Sequence, residues 1–132
     1  MNRTLLSRRN IALSHGAFLT VAGVWPVVGM RTFQLVTGPK TDTWLVKTVG
    51  SLLAVVGLRV MDDARRGRVR GDTAWLGIGV AAVLGVISCF YTLKRRISRI
   101  YLLDSLAEGA WIVLWCAALL RDREQPTRKA AS

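Results

Sequence analysis

The sequence predicts an all-α integral membrane protein, an antiparallel four-helix transmembrane bundle in a single domain covering residues 1–132. Three observations predict it. Apolar residues make up 52% of the chain, four long runs carry almost no charge, and the formal net charge of +11 lies in short clusters between those runs. A transmembrane helix needs about 20 mostly apolar residues, and a helix satisfies its own backbone hydrogen bonds in lipid. Because the basic clusters flank apolar runs, they indicate membrane insertion rather than nucleic-acid binding.

The first two predicted spans cover residues 10–30 and 43–61. The first run has no formal charge unless His15 is protonated, and the second carries Lys47 near its outer end. The segment 31–42 connects them and contains a helix-breaking Gly-Pro pair. We therefore expect the first two helices to be neighbours joined by a short connection.

The last two predicted spans cover residues 73–93 and 101–120. The third run is free of charged residues, whereas the fourth contains Asp104 and Glu108. The short link 94–100 predicts that these two helices form an antiparallel hairpin.

The connections distribute the basic residues unevenly. Twelve of the 19 Lys and Arg residues lie on the side of the N-terminus, the middle loop 62–72 and the tail 121–132, and seven lie on the other side. The positive-inside rule then predicts that both termini lie in the cytoplasm, so the membrane is expected to be the cytoplasmic (inner) membrane. We expect the polar tail to be disordered. Four arginines of the basic middle region are expected to bind anionic lipid headgroups: Arg65, Arg66, Arg68 and Arg70.

Ionisable side chains inside a span are the first candidates for function, because each costs up to about 2.5–3.5 kcal/mol at the helix centre. In the fourth span, two carboxyl groups and three aromatic rings recur at helical spacing and share a stripe about 80° wide. Lys47 of the second span lies in the same outer half as Glu108, so an ion pair with Glu108 or Asp104 would reduce the cost of burial. These features predict an outward-facing polar and aromatic pocket. Its candidate residues are Glu108, Asp104, Lys47, Trp111, Trp115, Tyr101 and Tyr91.

Each polar group also has a purely structural explanation. Lys47 can extend its ammonium outward along the bilayer, and Asp104 suits the positive end of its helix dipole. His15 starts from the inner side and is expected to bond a neighbouring backbone or hydroxyl group rather than to contact Lys47. Glu108, about 10 Å deep, is the hardest to explain structurally. The secondary polar candidates are His15, Asp42, which is a plausible N-cap of the second span, and Lys40.

No cofactor or metal site is expected. Cys89 and Cys116 lie near opposite ends of their spans and differ in depth by about 15 Å, well beyond the roughly 7 Å Cα separation that a disulfide allows. One histidine without a His/Cys cluster offers no metal or haem ligand set. No phosphate-binding glycine loop or nucleophile elbow is present.

One block of the sequence resembles a known pattern. It runs from Gly23-Val24-Trp25-Pro26 through Met30-Arg31-Thr32-Phe33 to the stretch between Thr37 and Gly50, TGPKTDTWLVKTVG. The block is similar to one in small four-span bacterial membrane proteins of uncharacterised function, whose general layout resembles the DoxX-like group. The resemblance covers about 30 residues closely and is architectural elsewhere. It implies a four-helix membrane bundle and carries over no activity.

Three functions fit these features. The first is binding or transport of a small amphiphile or lipophilic cation in the pocket. The second is a structural or accessory subunit that self-associates, for example as a homodimer, through small-residue faces such as Gly50/Ala54 and Gly79/Gly85. The third is an intramembrane enzyme in which the two carboxyl groups of the fourth span act as general acid and base on a lipid. The first function is preferred, and the enzyme is the least favoured because no second span carries a carboxyl group.

Overall fold

The structure is a computed structural model that describes the backbone of residues 7–130 and the side chains of residues 7–122. All regular structure in this part of the chain is helical. The five helices are α1 (Arg8–Val28), α2 (Met30–Thr37), α3 (Thr43–Arg65), α4 (Gly71–Leu93) and α5 (Tyr101–Ala130). Four of them are long and apolar enough to cross a membrane: Arg8–Val28, Thr43–Arg65, Gly71–Leu93 and Tyr101–Asp122.

The connection between the first two spans contains the short helix α2, which the sequence analysis did not anticipate. α1 ends at Val28, the N–H of the capping residue Gly29 donates to the Trp25 carbonyl at 2.8 Å, and α2 starts at Met30. α2 ends at Gly38, whose φ of +89° lies in the region that favours glycine. Asp42 occupies the expected N-cap position of α3, but only its backbone carbonyl accepts a bond there, from Val46 N–H.

The middle loop is shorter than predicted because both flanking helices are longer. α3 continues to Arg65 and α4 begins at Gly71. Asp63, on the last turn of α3, accepts a hydrogen bond from Thr73 Oγ1 at 2.7 Å and pairs with Arg59. The charged residues that suggested a loop are thus bonded to one another at a helix end.

The last helix also passes its predicted end. α5 continues through residue 130, so residues 121–130 of the tail that we expected to be disordered are helical, while positions 131–132 lie outside the described residues. Extending an existing helix avoids the cost of nucleation, and the run after residue 120 contains several good helix formers.

α1 and α3 pack with their backbones nearly in contact. A Cβ placed on Gly16 would lie 2.7 Å from the Gly57 carbonyl oxygen, and one on Gly23 would lie 2.6 Å from the Ala54 nitrogen. Positions further along α1 therefore face positions earlier in α3. The Gly50/Ala54 face is thus covered by α1 of the same chain, although we expected this face to suit self-association.

α4 and α5 form the second tight pair, and α1 also contacts both of these helices. Small residues on one face of α4 admit large ones of α5: a Cβ on Gly77 would lie 2.6 Å from Trp115 Nε1, and one on Gly85 would lie 3.2 Å from the Glu108 Cβ. Contacts between α1 and α5 are sparser than those within the two pairs. The candidate site lies in this seam between the α1/α3 pair and the α4/α5 pair.

Candidate functional site

His15 and Glu108 face each other across the seam with no solvent exposure. Both side chains are 0% exposed, and His15 Nε2 lies 3.8 Å from Glu108 Oε2. That distance suits an ion pair but exceeds a hydrogen bond. Within residues 7–122, neither this nitrogen nor either carboxyl oxygen has a hydrogen-bond partner. Since nearly all buried polar groups in proteins are hydrogen-bonded, three such atoms in one place need a partner that the described residues do not supply.

Trp115 fixes the hydrogen position on His15. Its indole Nε1–H donates to His15 Nδ1 at 3.0 Å, and the indole is itself fully buried. Indole nitrogen is a donor only, so Nδ1 is the acceptor and carries no hydrogen. The neutral imidazole therefore carries its hydrogen on Nε2, the nitrogen that faces Glu108.

Aromatic rings pack on the His15 side of the pair. The Trp111 ring stacks on the imidazole, with centroids 4.8 Å apart and planes 20° apart, and Phe18 lies 6.0 Å from Trp111. Gly77 of α4 leaves the space that the Trp115 indole occupies. The site thus combines a carboxyl group and an imidazole N–H with the rings of Trp111, Trp115 and Phe18, and we call it the Glu108 cage.

The structure brings together three of the predicted pocket residues, Glu108, Trp111 and Trp115, which follow one another on the inward face of α5. It adds His15, which we had placed among the secondary polar residues and expected to bond a backbone or hydroxyl group. The rise along the helix axes places the two backbones at different depths, but an imidazole and a carboxyl group each extend several ångströms from their Cα atoms, so the two side chains can still meet. The sequence does contain an indication of this contact. A lone imidazole and an indole N–H in apolar spans each need a buried partner, and they can serve each other.

The expected ion pair of Lys47 with Glu108 or Asp104 is wrong. Lys47 is exposed on α3 and forms no salt bridge with the described carboxyl groups. The reason is the helix pairing: α3 packs on α1, whereas Glu108 belongs to the α4/α5 pair. Lys47 therefore lies away from the site.

The remaining candidates lie nearer the start of α5 or on the surface. Asp104, one turn before Glu108 on α5, accepts a hydrogen bond from Ser88 Oγ at 2.8 Å. Lys40 lies 5.0 Å from the centroid of the Tyr101 ring, at the start of α5. Tyr91 and Asp42 are exposed. The outward-opening pocket is therefore not formed, since Glu108 is fully enclosed.

The arrangement presents one donor and two acceptors to any group that enters it. In the described part of the chain, no three His, Cys, Asp or Glu side chains are grouped as metal ligands. The site instead suits a cation or a group with hydrogen-bond donors beside the carboxyl oxygens and the aromatic rings. Comparisons with protein-family models, with curated proteins and with solved structures each find no match.

Proposed function

We propose that this chain is an antiparallel four-helix transmembrane bundle of the bacterial inner membrane, with cytoplasmic termini, that binds or transports a small lipophilic cation at the seam between its two helix pairs. The observation that carries the proposal is the carboxyl group of Glu108, which is fully buried and has no donor bonded to it within residues 7–122. A buried charge without a partner is costly, so a bound cation would stabilise the site.

The surrounding side chains favour an organic cation over a bare metal ion. The Trp111 ring stacks on His15, whose imidazole faces Glu108, and Phe18 packs on Trp111. Cations bind aromatic faces with about 0.5–2 kcal/mol. A metal ion would need several further oxygen or nitrogen ligands.

The closed site also suggests how a ligand gains access. The α1/α3 and α4/α5 pairs are held internally by close packing, whereas the seam between them has fewer contacts. Separation of the two pairs would expose Glu108 without breaking either pair. A carrier needs such a movement, because its site must open and close around the ligand.

The geometry supports binding better than acid–base catalysis. While Trp115 donates to Nδ1, the imidazole cannot take up a second hydrogen there, so His15 serves as a donor rather than as a base. Asp104, the second carboxyl group of the enzyme hypothesis, is already bonded to Ser88. Glu108 is then the single proton acceptor in the cage.

The test is equilibrium binding of radiolabelled tetraphenylphosphonium to the purified protein in mild detergent. We expect Glu108→Gln to weaken binding at least about tenfold, equivalent to ~1.4 kcal/mol, because it removes the charge and nearly preserves the shape. Asp104→Asn is the matched control, since it neutralises the neighbouring carboxyl group one turn outward.

Equal affinity in the wild-type protein and Glu108→Gln, with both folded, would exclude a cation site at this carboxyl group. A loss of the same size in Asp104→Asn would show that general surface charge, rather than the caged site, attracts the ligand.

A further inference from the structure

Polar side chains lie between Glu108 and the end of the bundle where α5 begins. We call this the α2 end, because α2 lies there. Ser88 of α4 is buried and donates its hydroxyl to Asp104 at 2.8 Å. The Ser105 hydroxyl donates to the Gly85 carbonyl oxygen at 3.1 Å, and a Cβ on Gly85 would lie 3.2 Å from the Glu108 Cβ. The facing surfaces of α4 and α5 therefore carry polar groups as far as the Glu108 cage.

Thr92 extends this series to the end of α4. It follows Ser88 by about one helical turn on the same face. Later positions of α4 contact earlier positions of α5, so the turn that holds Thr92 lies beside the first turn of α5. Thr92 is 6% exposed, and its hydroxyl has no hydrogen-bond partner within residues 7–122. Such a group needs a partner from water or from a ligand. We call the four polar side chains the polar strip: Ser88, Thr92, Asp104 and Ser105.

The opposite end of the bundle, where α1 begins, is packed with apolar side chains from all four long helices. This apolar cluster includes Trp115, whose indole bonds His15, and its members are 0–3% exposed. The buried carboxyl group at this end, Asp63, is already bonded to Thr73 and paired with Arg59. A cation that left the cage in this direction would lose its polar contacts in a packed core. The cluster consists of Ile11, Ala12, Val60, Ala64, Ala74, Trp115 and Ala118.

Lys40 lies over the first residue of α5, at the α2 end of the polar strip. Its ammonium group is 5.0 Å from the centroid of the Tyr101 ring and donates to the Thr37 carbonyl oxygen at 3.2 Å. The contact joins the connection between α2 and α3 to α5, so it crosses the seam between the two helix pairs. Both residues are partly exposed, and a cation on an aromatic ring at such a site contributes little energy. This contact can therefore open at low cost.

We propose that the Glu108 cage exchanges its ligand and water through the α2 end, along the polar strip, and that the Lys40–Tyr101 contact is the cover that opens. The apolar cluster keeps the opposite end closed. The inference rests on the proposed function for the class of ligand, a lipophilic cation, and adds the route by which that cation enters. The route determines how fast the cation arrives, whereas Glu108 determines how tightly it binds.

The experiment measures how fast single cysteines react with 2-(trimethylammonium)ethyl methanethiosulfonate, a water-soluble cation. The purified protein carries Cys89→Ser and Cys116→Ser, so that an introduced cysteine is the one that reacts. Thr92→Cys tests the polar strip. Ala74→Cys is the matched control in the apolar cluster, because Ala74 is also buried and lies on the same face of α4, about five turns away. We expect Thr92→Cys to react at least about tenfold faster, because local opening at the α2 end requires less free energy.

Ser88→Cys and Ala118→Cys form a second pair, one in the polar strip and one in the apolar cluster, and the same difference in rate is expected. Ser88→Cys weakens the bond to Asp104. If that change unfolds the protein, Thr92→Cys still tests the route, because the Thr92 hydroxyl has no bond to lose within the described side chains.

Lys40→Met tests the cover. We expect it to raise the reaction rate of Thr92→Cys about threefold, the effect of losing a cation–π contact at a partly exposed site, and to leave the rate of Ala74→Cys unchanged. Lys47→Met is the matched control, because it removes the same charge from an exposed position on α3.

Equal rates at Thr92→Cys and Ala74→Cys would show that neither end is preferred, and a faster reaction at Ala74→Cys would place the route at the opposite end. An unchanged rate in Lys40→Met would exclude Lys40 as the cover. Because the reaction needs no bound ligand, it also separates the two proposals. Slow reaction at every position, with weakened tetraphenylphosphonium binding in Glu108→Gln, would reject the route and keep the cation site. Fast reaction along the strip, with unchanged binding in Glu108→Gln, would reject the cation site and keep the route.

Discussion

Hydrogen-bond donors and acceptors around His15 determine what the buried site can bind. The indole of Trp115 occupies one imidazole nitrogen, and the other nitrogen faces the carboxyl group of Glu108. This single indole N–H thus determines that the imidazole nitrogen facing Glu108 is a hydrogen-bond donor. Its removal would leave the imidazole free to carry hydrogen on either nitrogen.

We expect Trp115→Phe to destroy this preference. Because the chain has one histidine, the ¹⁵N NMR spectrum of histidine-labelled protein reports His15 alone if the affinity tag contains none. The wild-type protein should show a pyridine-like Nδ1 signal and a pyrrole-like Nε2 signal, and Trp115→Phe should show the two signals averaged by exchange. Loss of the hydrogen bond should also cost about 1 kcal/mol of stability.

Trp111→Phe is the control for this experiment, because it alters the ring stacked on the imidazole while leaving the Trp115 hydrogen bond in place. A protonated Nδ1 in the wild-type protein would contradict the assignment.

At this scale the sequence indicated which residues of α5 share a face and left open which residues lie opposite them. The spacing of Glu108, Trp111 and Trp115 placed them on one face of α5, because helical geometry alone decides that. It could not show which other helix faces them, since that depends on packing between helices that are remote in sequence. Lys47 was therefore matched to Glu108 by depth, and His15 was overlooked as its partner.

Small residues decide which helices pair. In the absence of a hydrophobic driving force between helices in lipid, close van der Waals contact between backbones stabilises association. Gly23 and Gly57 provide such contact between α1 and α3, and Gly77 provides the space for Trp115 between α4 and α5. Gly79, on the open side of α4, has no such role.

We expect Gly23→Ala to destabilise the bundle by about 1–3 kcal/mol, the usual cost of overpacking, because its Cβ would collide with the backbone of α3. Gly79→Ala is the matched control and should be neutral or stabilising by up to about 1 kcal/mol, because alanine is the better helix former. Unfolding in mixed micelles of dodecyl maltoside and SDS measures both. Equal effects of the two substitutions would contradict the assigned packing of α1 on α3.

Helix positions were predictable because long apolar runs have few alternatives in lipid. The start of α3 and of α5 and the end of α4 match the predicted boundaries. α2 was missed because its run of eight residues is far too short to span a membrane. The extensions of α3 and α5 were missed because polar residues at a helix end look like loop residues unless their mutual bonds are known.

The described part of the chain consists of two helix pairs, the short helix α2 and the seam that holds the polar site. At the end of the bundle where α1 begins and α3 ends, Arg8 of α1 pairs with Asp122 of α5, and Arg9 Nε donates to the Ala64 carbonyl of α3 at 3.3 Å. The N-terminal end of α1 is thus bonded to α3 and to α5, at the end of the bundle that carries most of the arginines.

Fusion reporters test the orientation proposed for this assembly. With an even number of spans and an excess of basic residues on the terminal side, green fluorescent protein fused after residue 132 should fluoresce, and alkaline phosphatase fused after residue 97 should be active. The reciprocal fusions serve as controls. Activity of phosphatase at the C-terminus would reverse the orientation, and the outer and inner ends named above would exchange.

The separation of His15 from its partners in the chain has a consequence for biogenesis. A ribosome releases α1 first and α5 last, so the imidazole spends most of synthesis without the indole and carboxyl group that cover it in the finished protein. Chains stopped before Trp115 would present a bare polar group within an apolar segment. That group would be accessible to membrane chaperones and proteases, which act on incompletely folded chains. It becomes inaccessible only when the final helix packs against α1.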